Sequence, residues 1–280
     1  MDATLPAQPA GYRQLMKQSF VLYRAGFLKS IGLGFLLSVA VFIPRLHAYF
    51  IGANIFSSLT PFSLQALWLI VVNLISILFF IGLIWHMHCV NRHIHEPFIE
   101  DLVVGMKKLF YVLVATLIQS IIIYAIALTL FGVIILLHNH QLLFPTFSFG
   151  AFIPVLIFGL QFILIIYLWT LFLFLIPLIA IENKGILTSL ERSAALVWNH
   201  WWRIFSVQFT PWVCYIVLLV LIKFFFHIDI HIYFTPHDYA SIWPTVLNIV
   251  LFGFFTPWLA ALLVVQLKDL ELRKRLLNAQ

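Results

Sequence analysis

The chain has 280 residues, 63% of them in the apolar and aromatic set and only 9% charged, with 16 Lys and Arg against 10 Asp and Glu and a formal charge of +6. A soluble domain carries about 45–50% apolar and about 25% charged residues, and a disordered chain is poor in apolar residues, so both classes are excluded. The composition is that of an integral membrane protein.

Along the chain, residues 12–27 come first. Tyr12, Leu15, Met16, Val21, Leu22, Tyr23 and Phe27 gather broadly on one side at helical period, while Arg13, Gln14, Lys17, Gln18 and Arg24 fall mostly elsewhere. The spread of polar residues does not match a cleavable signal, which has a short basic start and then an apolar core. Beyond it, uncharged stretches run over 30–44, 46–91, 109–181, 204–222 and 239–267. A span takes about 20 apolar residues, so the second and third stretches must fold back on themselves. Pro61 divides one, and His138-Asn139-His140 with Pro145 divides the other.

Six spans result, at about 28–49, 62–88, 109–137, 150–180, 204–226 and 242–266. They are helices and not barrel strands, because 162–168 shows none of the period-two alternation of a transmembrane strand. Fourteen of the 16 Lys and Arg lie on the side shared by the termini, with only Arg45 and Lys223 opposite. The positive-inside rule then predicts that both termini are cytoplasmic, in a bacterial inner membrane. Cys89 and Cys214 fall at different depths, so no disulfide is expected between them.

Two further segments resemble 12–27. In 188–203, Leu190, Ala194, Val197, Trp198 and Trp201 oppose Glu191, Arg192, Asn199 and His200, and Thr188-Ser189-Leu190-Glu191 reads as a capping box. A weaker copy runs from Phe98 to Lys108. At an offset of 174 residues, Ser19 meets Ser193, Leu22 meets Leu196, Phe27 meets Trp201 and Lys29 meets Arg203, the mark of a repeated unit. The fold expected is therefore an all-α integral membrane protein, one polytopic domain over 1–280. It would comprise six transmembrane helices in three hairpins, each preceded by an amphipathic in-plane cytoplasmic helix at headgroup level.

The stretch from Pro177 through Glu182 and Gly185 to Arg192-Ser193 and Trp202-Arg203 resembles the membrane domain of some glycerophosphoryl diester phosphodiesterases. Related stand-alone six-pass bacterial membrane proteins of unassigned function share it. The resemblance implies membrane location and six-pass architecture. In that family the hydrolase activity resides in a separate soluble barrel, for which this chain has no room, so the activity itself is not expected.

Two histidine-rich sets could bear chemistry. His86, His88, Cys89, His93, His95 and Glu96 lie within eleven residues at the end of the second span. Imidazole and thiolate suit zinc or copper, but this spacing divides them over two helix faces and matches no standard zinc motif. The outer set is His138, His140, His227, Asp229, His231, His237 and Asp238. Nothing in the sequence shows that these loops converge, and solvated loop tips explain the set without a metal, so no metal and no cofactor is assigned. No G-x-S-x-G, H-E-x-x-H or Walker A motif is present, and no charged residue lies in the middle of a span. Asn73, Gln119, Ser120, Gln161, Gln208 and Asn248 supply neutral polarity at depth, either bonding between helices or lining a substrate path.

These features predict a non-catalytic polytopic protein that binds lipid or a partner protein at its cytoplasmic rim. The residues expected to do so are Trp198, Trp201, Trp202, Arg192, Arg203, Lys17 and Arg24. The alternative is a transporter or channel for a neutral or lipidic substrate, whose path would involve Gln119, Gln161 and Gln208. The partners implied are membrane lipids, then another membrane protein or a second copy of the chain, and no nucleic acid.

Overall fold

The computed structural model describes residues 8–51, 64–94, 96–139, 149–226 and 242–278. Its helices are α1 (Tyr12–Ala25), α2 (Phe27–Ile51), α3 (Leu64–Asn91), α4 (Phe98–Asn139), α5 (Phe149–Leu171), α6 (Leu175–Glu182), α7 (Ile186–Val197), α8 (Trp201–Phe226) and α9 (Trp243–Asn278). No strand occurs among the described residues. Among the described residues, six segments are long and apolar enough to cross a membrane: Phe27–His47, Leu67–Asn91, Phe98–Thr129, Phe158–Glu182, Trp201–Phe225 and Trp243–Leu276. The protein is a polytopic membrane protein.

Helix α9 is the centre. It packs along α1, α2, α3 and α8 and also touches α6 and α7. Its residues Ala260–Val265 join Ile81, Leu83, Ile84 and Met87 of α3 and Leu178 and Ile179 of α6 in one buried cluster. Lipid tails are as apolar as Leu, so close packing rather than water expulsion holds such helices together. The closest approach is between α2 and α9. Pro257 lacks the N–H that would bond the Gly253 carbonyl one turn earlier. That carbonyl faces Gly34 of α2, where a Cβ would press on the Gly253 oxygen and come within 2.7 Å of Pro257 Cγ. Only glycine fits there. Gly105 makes a similar crossing between α4 and α3, its Cβ position 2.9 Å from the Leu78 carbonyl oxygen.

The structure departs from the sequence expectations in three local ways. The segment Phe98–Lys108 is not a separate helix; it forms the first turns of the 42-residue α4. At 1.5 Å per residue that helix is about 60 Å long, more than the hydrocarbon core needs, so its start extends beyond the span. The span at 150–180 is broken, since α5 ends at Leu171 and α6 starts at Leu175. Pro177 accounts for the break: it cannot donate to the Leu173 carbonyl, but within the first turn of α6 its missing N–H costs nothing. The Leu171 carbonyl is instead held by Ser193 Oγ of α7 at 2.7 Å. Finally, Gly185 and not Thr188 is the N-cap of α7, and the Thr188 hydroxyl donates back to the Gly185 carbonyl at 2.8 Å. At its other end α6 stops at Asn183, which adopts the left-handed conformation that Asn tolerates.

The paired segments of the offset comparison have matching local structure. Ser19 and Ser193 are both fully buried, and Leu22 and Leu196 are buried one turn further on. Both helices stop a few residues before a span, α1 before Phe27 and α7 before Trp201.

Candidate ligand cavity and the charged end of the bundle

A cavity of about 490 Å³ lies within the bundle, reached by residues of α2, α3, α4, α5, α8 and α9 and by the α5–α6 break. Among the described residues its polar lining is Asn73, Ser76, Thr116, Gln119, Ser120, Gln208 and Thr256, all uncharged, and the rest is aliphatic or aromatic. Phe172 and Leu173, which interrupt the fourth span, form part of the wall. Of its lining, Gln208 and Thr256 are buried, whereas Asn73, Ser120 and Trp169 are exposed. Asn73 Nδ2 is occupied by the Leu69 carbonyl at 2.8 Å, while Gln208 Oε1 is buried with no protein donor. A pocket of this size and lining suits a small ligand with an apolar body and a few hydrogen-bonding groups.

Of the polar residues singled out in the sequence, Asn73, Gln119, Ser120 and Gln208 are thus brought to one place. Gln161 is not among the lining residues; its amide donates to the Ala127 carbonyl at 3.2 Å, joining α5 to α4. Asn248 is likewise structural, accepting from the Tyr215 hydroxyl at 2.9 Å. Ser76, Thr116 and Thr256 were missed. Short hydroxyl side chains in a helix usually back-bond to the preceding turn, as Ser76 does to Val72 at 2.9 Å, so no sequence signal separates a lining hydroxyl from any other.

The opposite feature is the charged end, where α1 begins and α9 finishes. Asp269 is its hub. One carboxylate oxygen accepts from the Ala10 N–H at 2.7 Å, and the other meets Arg203 at 3.1 Å and Arg273 at 3.0 Å. Both arginines also donate to the Ala10 carbonyl, which clamps the segment preceding α1 onto α8 and α9. A second network joins α6, α7 and α9: Arg192 bridges Glu182 at 3.0 Å and Glu271 at 3.1 Å, and Lys184 completes Glu182 at 3.0 Å.

The rim residues therefore divide. Arg192 and Arg203 are half-buried and engaged in ion pairs between helices, and Trp201 packs edge-on against Tyr167 with ring centres 5.4 Å apart. Trp198 and Trp202 are 62% and 64% exposed. Lys17 and Arg24 are exposed too, on the face of α1 opposite the buried Leu15, Ser19 and Leu22, in line with Arg13 and Phe20.

The histidine-rich set is likewise dispersed. His86 Nδ1 lies 2.9 Å from Asp101 Oδ2, both groups buried where Gly82 and Gly105 let α3 and α4 approach. Cys89 Sγ and Trp85 Nε1 both point to Glu96 Oε2, at 3.5 and 2.8 Å. His88 faces a different small cavity, lined also by Arg92, Glu182, Lys268 and Glu271. No group of three or more His, Cys, Asp or Glu converges among the described residues. His95 and the outer residues His140, His227, Asp229, His231, His237 and Asp238 lie outside the described residues, as does the side chain of His138. Comparison with family models, curated proteins and solved structures finds no match to the chain.

Proposed function

We propose that this polytopic membrane protein binds a neutral amphiphile in the cavity between its helices and moves it between the bilayer and the far side of that cavity. One observation carries this reading: seven uncharged polar side chains converge on a 490 Å³ space bounded by a broken span. Interrupted helices at the substrate site are a recurrent feature of transporters, because the unwound backbone is tolerated in lipid only where it is buried or lines a cavity. An all-neutral lining selects against charged ligands, whose burial without a partner is costly. The charged end faces the cytoplasm of a bacterium in this reading, since most Lys and Arg lie there. The arrangement as three hairpins, with α1 and α7 lying in the membrane plane, and the resemblance of residues 177–203 to the phosphodiesterase membrane domain belong to the same proposal.

The test uses the full chain in mild detergent, supplied with a short-chain diacylglycerol and followed by native mass spectrometry. Wild type retains the lipid, and Gln119→Leu with Gln208→Leu lowers its occupancy about tenfold, a loss of about 1.4 kcal/mol. In proteoliposomes the same variant slows transbilayer movement of a fluorescent diacylglycerol. Undiminished occupancy and movement reject the cavity as the site.

A second reading is favoured by the exposed face of α1. Arg13, Lys17 and Arg24, with Phe20 among them and Trp198 and Trp202 exposed at the same end, have the pattern of an interfacial anchor on anionic lipid. Replacing these three basic residues by Gln then weakens retention of phosphatidylglycerol and leaves the diacylglycerol unaffected.

A further inference from the structure

The networks at the charged end leave part of their positive charge unused. Two adjoining cavities of about 430 and 290 Å³ open between α7 and the last turns of α9, and they share Arg192 and Lys274. The first is also lined by Lys184, Thr188, Glu191 and Ala195, the second by Leu196, Glu271 and Arg275. Among the described lining residues four cationic side chains meet two carboxylates, and a third carboxylate, Glu182, pairs with two of the four, Lys184 and Arg192. Glu271 is already held by Arg192 and by Lys268, so it does not neutralise Lys274 or Arg275. Both of these are exposed, and neither has an ion-pair partner among the described residues. Arg192 is anchored through Nη2, yet its Nε is buried without an acceptor.

We infer that these joined cavities form a binding site for a phosphate monoester. Three elements contribute to it: Lys184 from the α6–α7 turn, Arg192 from α7, and Lys274 with Arg275 from α9. A monoester carries about 1.5–2 negative charges at neutral pH and three strong acceptor oxygens, which suits Lys274 and Arg275, the two cations here that no carboxylate pairs. Arg275 supplies a planar fork of donors and Lys274 a compact ammonium, the two usual modes of phosphate recognition. A phosphodiester carries one charge and fewer free oxygens, so it binds less well. The phosphate belongs either to a lipid headgroup at the membrane surface or to a soluble molecule. This site is separate from the neutral cavity and does not depend on what that cavity holds.

The experiment measures binding of short-chain phosphatidic acid and short-chain phosphatidylglycerol to the full chain in detergent, with inorganic phosphate as competitor. Phosphatidic acid, the monoester, is expected to bind at least tenfold more tightly than the diester. The double variant Lys274→Gln with Arg275→Gln should lose that preference. These positions are exposed beyond the packed core, so the variant keeps the wild-type melting temperature. The triple variant Arg13→Gln, Lys17→Gln and Arg24→Gln removes more charge from α1 and should keep the preference. Displacement by inorganic phosphate identifies the phosphate group alone as the ligand, and failure to displace it identifies a lipid headgroup. Equal binding of monoester and diester, equal loss in the α1 triple variant, or no binding of either lipid overturns the site.

Discussion

Helices α4 and α9 are nearly equally apolar, yet of an 18-residue apolar stretch in each, 11% is buried within the protein in α4 and 61% in α9. Both are long, apolar and continuous. The difference lies in small residues and charge: α9 has Gly253 beside Pro257 where α2 closes on it, and Asp269 where three donors converge. Helix α4 makes its close approach only near its start, at Gly105, and further along exposes Leu117, Ile121, Tyr124 and Leu128. In a membrane, apolarity makes a helix soluble in lipid, whereas small residues and satisfied polar groups give it a partner.

The sharpest way to break this contrast is at the α2–α9 crossing. Gly34→Val sets a branched side chain against a backbone carbonyl that no rotamer change can move, so it should cost more than about 4 kcal/mol and abolish the cooperative melt in detergent. Gly159→Ala in α5, where a Cβ meets nothing within 4 Å, should leave the melt intact. Equal effects would mean that α9 is not the centre.

Next comes the charge hub. Asp269→Ala takes the carboxylate from Arg203 and Arg273, leaving them only the Ala10 carbonyl, and leaves the Ala10 N–H without its acceptor; breaking a buried pair costs about 3–5 kcal/mol. Glu100→Gln on the exposed start of α4 should shift the melting temperature negligibly. Limited proteolysis near residue 10 reads the same event, because the segment before α1 is released only in the Asp269 variant.

A smaller effect is expected at the broken span. Ser193→Ala removes the donor that holds the Leu171 carbonyl and should cost about 1–3 kcal/mol, read as a lower melting temperature. If the break shapes the cavity, diacylglycerol occupancy falls in the same variant. A melt that drops while occupancy stays constant separates the break from the site.

Smallest is the exposed rim. Trp198→Ala and Trp202→Ala should change stability by less than about 0.5 kcal/mol in detergent, as surface substitutions do. Trp201→Ala, which loses its packing against Tyr167 and the core, should lower the melting temperature measurably. Three equal effects would return all three tryptophans to one surface.

Part of this arrangement was legible in the residues alone. Neutral polarity at Asn73, Gln119, Ser120 and Gln208 stood out against apolar spans. The break after Leu171 had a visible signal in Pro177, although a proline near the end of a span reads equally as its terminus. Asp269 gave no signal of its own. A carboxylate in a basic tail looks solvated until Ala10 and Arg203, far away in sequence, are known to reach it.

The sequence by itself determined that the chain crosses a membrane and where, because the cost of polar groups in hydrocarbon acts on each segment independently and needs no neighbour to be counted. It also placed the basic residues at one end. Only the tertiary structure decided which helix is central, which arginines hold the bundle together and which stay available, and which hydroxyls and amides share a cavity. Those outcomes depend on pairwise approach between residues up to 263 positions apart, and every span is apolar enough to face lipid or protein alike.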